Sequence, residues 1–157
     1  MNKRILLCDD EFHIVRAAEI KFQRRGFDVR TASDGEEAWE ILQEWLPDVL
    51  VTDCQMPRLD GLGLVRRLRD HDAMDDLPVL MLTAKSFEKQ YRDTADELGI
   101  LGVIPKPFSP RELLIRVEQI VELQPSNSQS QESIATDALP AEAAAASETS
   151  SAQTAKA

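Results

Sequence analysis

The chain has few of the features that mark secreted or membrane proteins. It contains two cysteines, 5% aromatic residues and no apolar run that approaches the length of a membrane span. Two cysteines form no disulfide framework, and the first apolar run, Ile5–Cys8, is too short for a signal segment. We therefore expect a soluble cytoplasmic protein with no membrane partner.

The chain also has no excess of basic residues. Its 18 Lys and Arg residues face 28 Asp and Glu residues, which gives a formal charge of −10, of which −7 lies in residues 1–123. Nucleic-acid binding usually requires a basic face that displaces counterions from phosphates, so we expect no nucleic-acid partner. The basic cluster Arg66, Arg67 and Arg69 is interpreted as the solvated face of a helix.

Large apolar side chains become scarce after residue 123. In residues 124–157 the only large aliphatic residues are Ile134 and Leu139, while Ser, Gln, Thr, Ala and Glu dominate. Such a segment cannot bury enough apolar surface to offset the entropy of ordering it. We predict one folded domain at residues 1–123 and a disordered low-complexity tail at 124–157.

Short apolar runs alternate with helical patterns along residues 1–123. The strand-like runs are Ile5–Cys8, Asp28–Ala32, Val49–Thr52, Val79–Leu82 and Gly102–Pro105. The helical patterns are Phe12–Arg25, a segment opening at Ser33, Gly61–Arg69, Phe87–Leu98 and a segment opening at Ser109. Capping-box spacings, Ser33 with Glu36 and Ser109 with Glu112, mark two of the helix starts. The alternation predicts an α/β fold of five strands and five helices with a parallel sheet.

Four of the predicted strands end in residues that suit phosphoryl chemistry. These residues are Asp9 and Asp10, Asp53, Thr83, and Lys106. Because the carboxyl ends of parallel strands form one crevice, we expect these side chains to meet. Three carboxylates drawn together repel one another unless a cation compensates, and Mg²⁺ prefers such oxygen ligands. The pattern predicts a site for Mg²⁺ and a phosphoryl group.

The residue types also indicate how such a site would work. Asp53 is the acid that stands alone on its strand, and it is the best candidate for a nucleophile that forms an aspartyl-phosphate. Asp9 and Asp10 are better suited as metal ligands. Lys106 offers a mobile positive charge and Thr83 a hydroxyl donor for the phosphoryl oxygens.

Several motifs occur in an order that is specific as a set. They are Cys-Asp-Asp-Glu at 8–11, Asp-Gly-Glu-Glu-Ala at 34–38, the run Pro47–Pro57, Asp-Gly at 60–61, Leu-Thr-Ala-Lys at 82–85 and Lys-Pro-Phe at 106–108. Each is weak alone, but together the chain resembles the receiver domain of two-component response regulators over residues 1–123. The resemblance implies a doubly wound, flavodoxin-like sheet with strand order 2-1-3-4-5.

The resemblance also implies a function. Asp53 would accept a phosphoryl group from a sensor histidine kinase or a histidine phosphotransfer protein. The module would phosphorylate and dephosphorylate itself with Mg²⁺ and would not be a turnover enzyme on a separate substrate. Because no effector motif is recognised after residue 123, we expect a stand-alone switch whose output is contact with a downstream protein or phosphorelay.

Roles for individual residues follow from the same resemblance. The implied Mg²⁺ ligands are Asp9, Asp53 and the backbone carbonyl of Gln55, with Asp10 contributing through water. Thr83 and Lys106 would bind the phosphoryl oxygens, and the Lys106–Pro107 peptide bond would be cis.

One position departs from the family pattern. Many relatives carry Tyr or Phe three residues before the lysine, where this chain has Val103. Coupling of a hydroxyl to a ring is therefore not expected in its usual form, and switching would run through Thr83 and the loop that follows it.

Two other functions remain open from the sequence. A hydrolase with an aspartyl-phosphate intermediate, similar to haloacid-dehalogenase-like phosphatases, usually has its two acids at alternate positions, whereas Asp9 and Asp10 are adjacent. A phosphate-independent docking domain would keep the fold without the chemistry.

Overall fold

The computed structural model describes residues 2–84 and 87–123. The chain divides into two units, Met1–Val121 and Glu122–Ala157, and the fold described below is that of the first. The predicted tail lies outside the described residues, so the boundary after residue 123 stays a prediction. None of the helices in the described ranges is long and apolar enough to cross a membrane.

Strands and helices alternate along the described chain as the sequence predicts. The strands are β1 Arg4–Cys8, β2 Asp28–Ala32, β3 Val49–Asp53, β4 Val79–Ala84 and β5 Gly102–Lys106. The helices are α1 Phe12–Arg24, α2 Gly35–Glu44, α3 Gly61–Arg69, α4 Glu88–Glu97 and α5 Pro110–Glu122. All strand pairs are parallel and the order is β2-β1-β3-β4-β5, which confirms the predicted flavodoxin-like topology.

Alternate strand residues supply two hydrophobic cores on opposite faces of the sheet. Leu6, Leu50 and Met81 pack with side chains of α2 and α3 in one cluster, and Leu7 and Val51 pack in the other, with side chains of α1 and α5. Because side chains of a strand point alternately to the two faces, a sheet covered on both sides needs strands that are apolar at nearly every position. The continuous apolar runs of the sequence are explained by this double coverage.

The two predicted capping boxes can be compared with the structure, and one of them is displaced from its predicted position. At α5, Ser109 Oγ accepts from the N–H of Glu112 and Glu112 Oε1 accepts from the N–H of Ser109, at 3.0 and 2.9 Å, which confirms the predicted box. At α2 the predicted box of Ser33 with Glu36 is wrong by one residue. Asp34 is the N-cap and accepts from the N–H of Glu37, whose carboxylate accepts from the N–H of Ser33.

The interpretation of the basic cluster as a solvated helix face is wrong for Arg69. Its guanidinium donates to the carbonyl oxygens of Asp75, Leu77, Leu98 and Gly99 at 2.7–3.4 Å. A planar group with five N–H donors can satisfy several loop carbonyls at once. Arg69 therefore ties the end of α3 to the loop before β4 and to the turn before β5.

Candidate functional site

The predicted site residues lie at one edge of the sheet. Asp53 and Lys106 are the last residues of β3 and β5, Thr83 is the last but one of β4, and Asp9 directly follows β1. Because the four strands are parallel, their carboxyl ends lie side by side. Three of these side chains are also shielded from solvent, since Asp9, Asp53 and Thr83 are 3%, 6% and 1% exposed.

The Lys106 ammonium contacts three carboxylates. Its Nζ lies 2.6 Å from Glu11 Oε1, 2.9 Å from Asp9 Oδ2 and 3.4 Å from Asp53 Oδ2. The Asp9 contact is an ion pair without hydrogen-bond alignment, because Asp9 Oδ2 has no hydrogen-bond donor among the described residues. One cation thus faces three carboxylates in the crevice.

Backbone groups hold the two buried carboxylates in place. Asp9 Oδ1 accepts from the N–H of Glu11 at 2.9 Å, and Asp53 Oδ1 accepts from the N–H of Cys54 at 3.0 Å. The N–H of Gly61 donates to the Cys54 carbonyl at 2.9 Å, and a Cβ at residue 61 would collide with the Asp53 carbonyl. Glycine at position 61 therefore lets α3 start directly against the end of β3.

Burial and like charge raise the pKa values of the two buried acids. Burial, followed by the charge of Asp9, raises the pKa of Asp53 to about 6, against the opposing effect of Lys106. Burial also raises the pKa of Asp9, although the N–H of Glu11 and the Lys106 charge oppose it. Burial lowers the pKa of Lys106, but the contacts with Glu11 and Asp9 outweigh it and leave that pKa raised. The site is thus short of positive charge.

The acidic group meets the requirements of a site for a hard divalent cation. One carboxylate oxygen from each of Asp9, Asp10 and Asp53 lies within 4.8 Å of the other two. Asp10 is exposed and the other two are buried, so the three oxygens line an opening that reaches solvent. Oxygen ligands with an open side suit Mg²⁺, which keeps several of its waters. The residues present fit the ion.

Thr83 provides the clearest sign that the site is built for a further group. Its Oγ1 is buried and has no hydrogen-bond partner among the residues that the structure describes. An unpaired buried hydroxyl costs about 1–3 kcal/mol, and a functional role is one of the few explanations for such a group in a native fold. A phosphoryl oxygen bound at the end of β4 would satisfy this hydroxyl.

Other expectations concern residues around the site. The Lys106–Pro107 bond is cis, as expected. Val103 is half-buried in the cluster under α2 and α3, so a small aliphatic side chain occupies the position where many relatives carry a ring. Gln55 is exposed, and the ligand role of its backbone carbonyl stays a prediction.

The two cysteines are free and buried. Cys8 Sγ contacts Met56 Sδ at 3.3 Å, and Cys54 Sγ contacts Met81 Sδ at 3.1 Å. Burial raises the pKa of the Cys54 thiol to about 12 and raises that of Cys8 as well. Both thiols therefore stay protonated at neutral pH and serve as core side chains.

Two features near the site have no clear signal in the sequence. Glu11 makes the shortest contact with Lys106, although the two residues are 95 positions apart. Arg58 adopts a left-handed backbone, φ 67°, and its guanidinium binds Asp34 through two hydrogen bonds of 3.0 and 3.1 Å. A glycine at 58 would have indicated this conformation; an arginine does not.

Comparison with known proteins agrees with the geometry. The family model of the response regulator receiver domain matches residues 5–118. The alkaline phosphatase synthesis transcriptional regulatory protein PhoP of Bacillus subtilis (strain 168) is 45% identical over 121 residues, which are 77% of this chain and 49% of that protein. The probable transcriptional regulator ycf27 of Cyanophora paradoxa is 42% identical over 120 residues, 76% of this chain and 48% of that protein. The chain thus spans about half the length of the curated relatives it matches.

Solved structures share the fold across nearly their full length. The chemotaxis response regulator CheY4 of Vibrio cholerae superimposes with a TM-score of 0.71 at 29% identity, covering 76% of this chain and 99% of that one. A putative response regulator from Chloroflexus aurantiacus gives a TM-score of 0.72 at 34% identity, covering 78% and 99%. With the matched family model, the parallel five-stranded sheet and the acidic edge, these likenesses establish that the chain belongs to the receiver domain family of two-component response regulators.

Proposed function

We propose that this receiver domain is a phosphorylation-dependent switch that accepts a phosphoryl group on Asp53 from a sensor histidine kinase or a histidine phosphotransfer protein. The observation that carries the proposal is the position of the Asp53 carboxylate, buried at the end of β3 and 3.4 Å from the Lys106 ammonium. Asp9 and Asp10 place their oxygens within 4.8 Å of it. A carboxylate next to one cation and a metal-type acidic pair can act as a phosphoryl acceptor.

The carboxylate of Asp53 is held for attack. The N–H of Cys54 binds Oδ1, while Oδ2 faces Lys106, so the side chain is oriented before a donor arrives. In the transfer, an Asp53 oxygen forms a bond to phosphorus as the bond from phosphorus to the donor's histidine nitrogen breaks. The electron pair of that bond leaves with the imidazole. With a pKa of about 6, Asp53 is mostly ionised at neutral pH.

Other residues of the site bind what the transfer produces. The Lys106 ammonium would exchange a carboxylate contact for one with a phosphoryl oxygen, and the Thr83 hydroxyl would donate to a second one. When bound by Asp9, Asp53 and the carbonyl of Gln55, with Asp10 contributing through water, Mg²⁺ would neutralise negative charge on the phosphoryl oxygens. Contact of Thr83 with the phosphoryl group would then change the start of the loop after β4.

Output is a separate proposal. The curated relatives are named as transcriptional regulators, and the matched residues make up only about half of their length, so their output is not carried over to this chain. We propose that this chain signals through protein contact or phosphorelay and does not itself bind nucleic acid. The charge of −7 over residues 1–123 supports this, because an acidic surface repels the phosphate backbone.

The test is phosphorylation by a small donor. The protein is incubated with acetyl phosphate and Mg²⁺, and its intact mass is recorded promptly at mild pH. We expect a gain of one phosphoryl group that requires Mg²⁺, is lost with hydroxylamine and is absent in Asp53→Ala. Asp28→Ala is the matched control, because Asp28 is an exposed acid at the first residue of β2, the opposite end of the sheet.

Further measurements distinguish the possible reasons for a negative result. If no adduct forms, binding of beryllofluoride distinguishes rapid self-hydrolysis from a site that does not accept phosphate. Absence of both would contradict the proposal and favour a docking domain. Sustained turnover of a small phosphate ester would favour the hydrolase instead.

A further inference from the structure

Glu11 makes a contact that the proposed mechanism does not use. Its carboxylate is 2.6 Å from Lys106 Nζ, closer than either Asp9 at 2.9 Å or Asp53 at 3.4 Å. An ammonium has three N–H donors and no acceptor. The shortest of its contacts thus goes to an acid outside the metal-type group, and the longest to the proposed phosphoryl acceptor.

The position of Glu11 is set by its backbone. Its N–H donates to Asp9 Oδ1 at 2.9 Å, and its carbonyl accepts from the N–H groups of Ile14 and Val15 in the first turn of α1. Glu11 is the N-cap residue of α1, but its side chain makes no capping hydrogen bond. The carboxylate instead extends across to the end of β5, although the side chain is 58% exposed.

The environment of Lys106 makes this contact stronger than an ordinary surface ion pair. The lysine side chain is only 16% exposed, so its ammonium depends on protein oxygens in place of water. Surface pairs contribute about 0–1 kcal/mol, but charge-assisted hydrogen bonds to a shielded group are stronger. Three carboxylates therefore compete for the ammonium, and their relative strengths determine its position.

We propose that Glu11 is a positioning residue that holds the Lys106 ammonium 2.6 Å from its own carboxylate, and no closer than 3.4 Å to Asp53, until a phosphoryl group is bound. This inference rests on the proposed function, because the phosphoryl oxygen is what draws Lys106 inward. Glu11 then has two opposite effects. It draws the charge of Lys106 partly away from Asp9 and Asp53, which favours cation binding, and it competes with the phosphoryl oxygen for the same ammonium.

Two substitutions separate contact from general charge. Glu11→Gln removes the charge. Glu11→Asp keeps the charge but shortens the side chain by one methylene, and the backbone bonds to Asp9 and to α1 prevent residue 11 from moving closer. If the contact is what matters, both variants behave alike. Glu19→Gln is the control. Glu19 is an acid of α1 that pairs with Arg16 and does not contact the site.

The experiment measures two affinities in the full chain. Mg²⁺ binding is followed by calorimetry, and beryllofluoride binding is followed by NMR at saturating Mg²⁺. In both Glu11 variants we expect Mg²⁺ to bind roughly three- to tenfold more weakly and beryllofluoride three- to tenfold more tightly, the size of one charge-assisted contact. Hydrogen exchange of the Lys106 ammonium with water should also become faster in both, and Glu19→Gln should match the wild type.

Each outcome decides the inference. If Glu11→Asp matches the wild type while Glu11→Gln differs, the effect is that of charge alone and the positioning role is overturned. If both variants match the wild type in affinity and exchange, the contact has no role, but the proposed function stands. If the wild type binds neither Mg²⁺ nor beryllofluoride, the proposed function fails first, and the inference with it.

Discussion

Asp53 carries its charge at a cost to the folded state. Its pKa is raised from 3.8 to about 6, chiefly by burial and the charge of Asp9. A raised acid pKa means that the folded protein binds the proton more tightly than the unfolded chain, so stability falls as pH rises from about 4 to about 6 and the loss is complete above that. A rise of this size in the pKa corresponds to a loss of roughly 1–3 kcal/mol in the free energy of unfolding.

Asp53→Asn should therefore stabilise the protein. Without Mg²⁺ at pH 7.5 we expect its free energy of unfolding to exceed that of the wild type by roughly 1–3 kcal/mol. The gap should shrink below pH 6 and close only well below pH 4, where the carboxyl is neutral in both the folded and the unfolded state. Urea unfolding at a series of pH values, in the presence of a chelator, measures the gap. A gap that does not change with pH would contradict the assigned cause.

The two buried threonines at the edge of the sheet should respond oppositely to loss of the hydroxyl. Thr83 Oγ1 has no partner among the described residues, whereas Thr52 Oγ1 donates to the Asp53 carbonyl at 3.0 Å. Thr83→Val should leave stability unchanged or raise it by about 1 kcal/mol, and Thr52→Val should lower it by about 1 kcal/mol. Urea unfolding checks both.

Phosphoryl-analogue binding should depend on Thr83 and not on Thr52, the reverse of their effects on stability. Thr83→Val removes the donor proposed for a phosphoryl oxygen, so beryllofluoride should bind at least tenfold more weakly, roughly one hydrogen bond to a charged group. Thr52→Val should change this affinity little, because its hydroxyl faces a backbone carbonyl. Equal loss of affinity in the two variants would show a general structural effect in place of a specific contact.

The site residues that the sequence predicts are positioned by a different structural feature from the residues that it misses. Asp53, Thr83 and Lys106 are placed by strand direction, since the ends of parallel strands must share an edge. Glu11 is placed by side-chain reach between segments 95 residues apart, which strand direction does not determine. Arg58 takes a conformation that its residue type disfavours, so local preference points away from the observed backbone.

The junction of β3 and α3 requires a residue without a side chain. A Cβ at Gly61 would collide with the carbonyl of Asp53, whereas a Cβ at Gly63 would meet mainly the Cδ1 atom of Leu59, the movable end of a side chain. Gly61→Ala should therefore force α3 away from the end of β3 and displace the carboxylate. Gly63→Ala lies in the same helix and should gain helix propensity.

The two glycine substitutions should therefore have different effects. Gly61→Ala should destabilise the protein by about 2–4 kcal/mol through overpacking and weaken Mg²⁺ binding. Gly63→Ala should change stability by less than about 1 kcal/mol and leave Mg²⁺ binding intact. Thermal unfolding and calorimetry provide the measurements. If both substitutions prove equally mild, the close approach of α3 to Asp53 is not what positions the site.

The ends of helices can be predicted from the sequence where residues close together in the chain determine them. The box of Ser109 and Glu112 is such a case, because both partners lie within four residues. At α2 the run Ser33–Glu37 offers two overlapping boxes, and the bidentate bond of Arg58 to Asp34 belongs to the one that forms. Arg69 shows the limit most plainly, because its four carbonyl partners come from loops that only the folded chain assembles.

At the scale of the whole molecule, the sheet order concentrates charge of one sign at one edge. The order β2-β1-β3-β4-β5 makes β1 and β3 neighbours, so the acids that end them must meet. The apolar strands that bring them together also desolvate them, which raises the pKa of both acids, and the charge of Asp9 raises that of Asp53 further. The topology was predictable from the alternation of segments, but the extent of these pKa shifts was not.

The boundary of the domain leads to a prediction about the whole chain. The two hydrophobic clusters draw on residues from Ile5 to Val121, and the proposed site lies between residues 9 and 106. Residues 124–157 supply only two large aliphatic residues. A chain cut after residue 123 should therefore keep the same fold, the same unfolding cooperativity and the same site.

Thermal and urea unfolding of the full and shortened chains test this. We expect midpoints that agree within about 2 °C, a shift that corresponds to less than about 1 kcal/mol in a domain of this size. The dependence of the unfolding free energy on urea should also agree, because it scales with the surface exposed on unfolding. A steeper dependence in the full chain would mean that residues 124–157 bury surface, and the domain would then extend beyond residue 123.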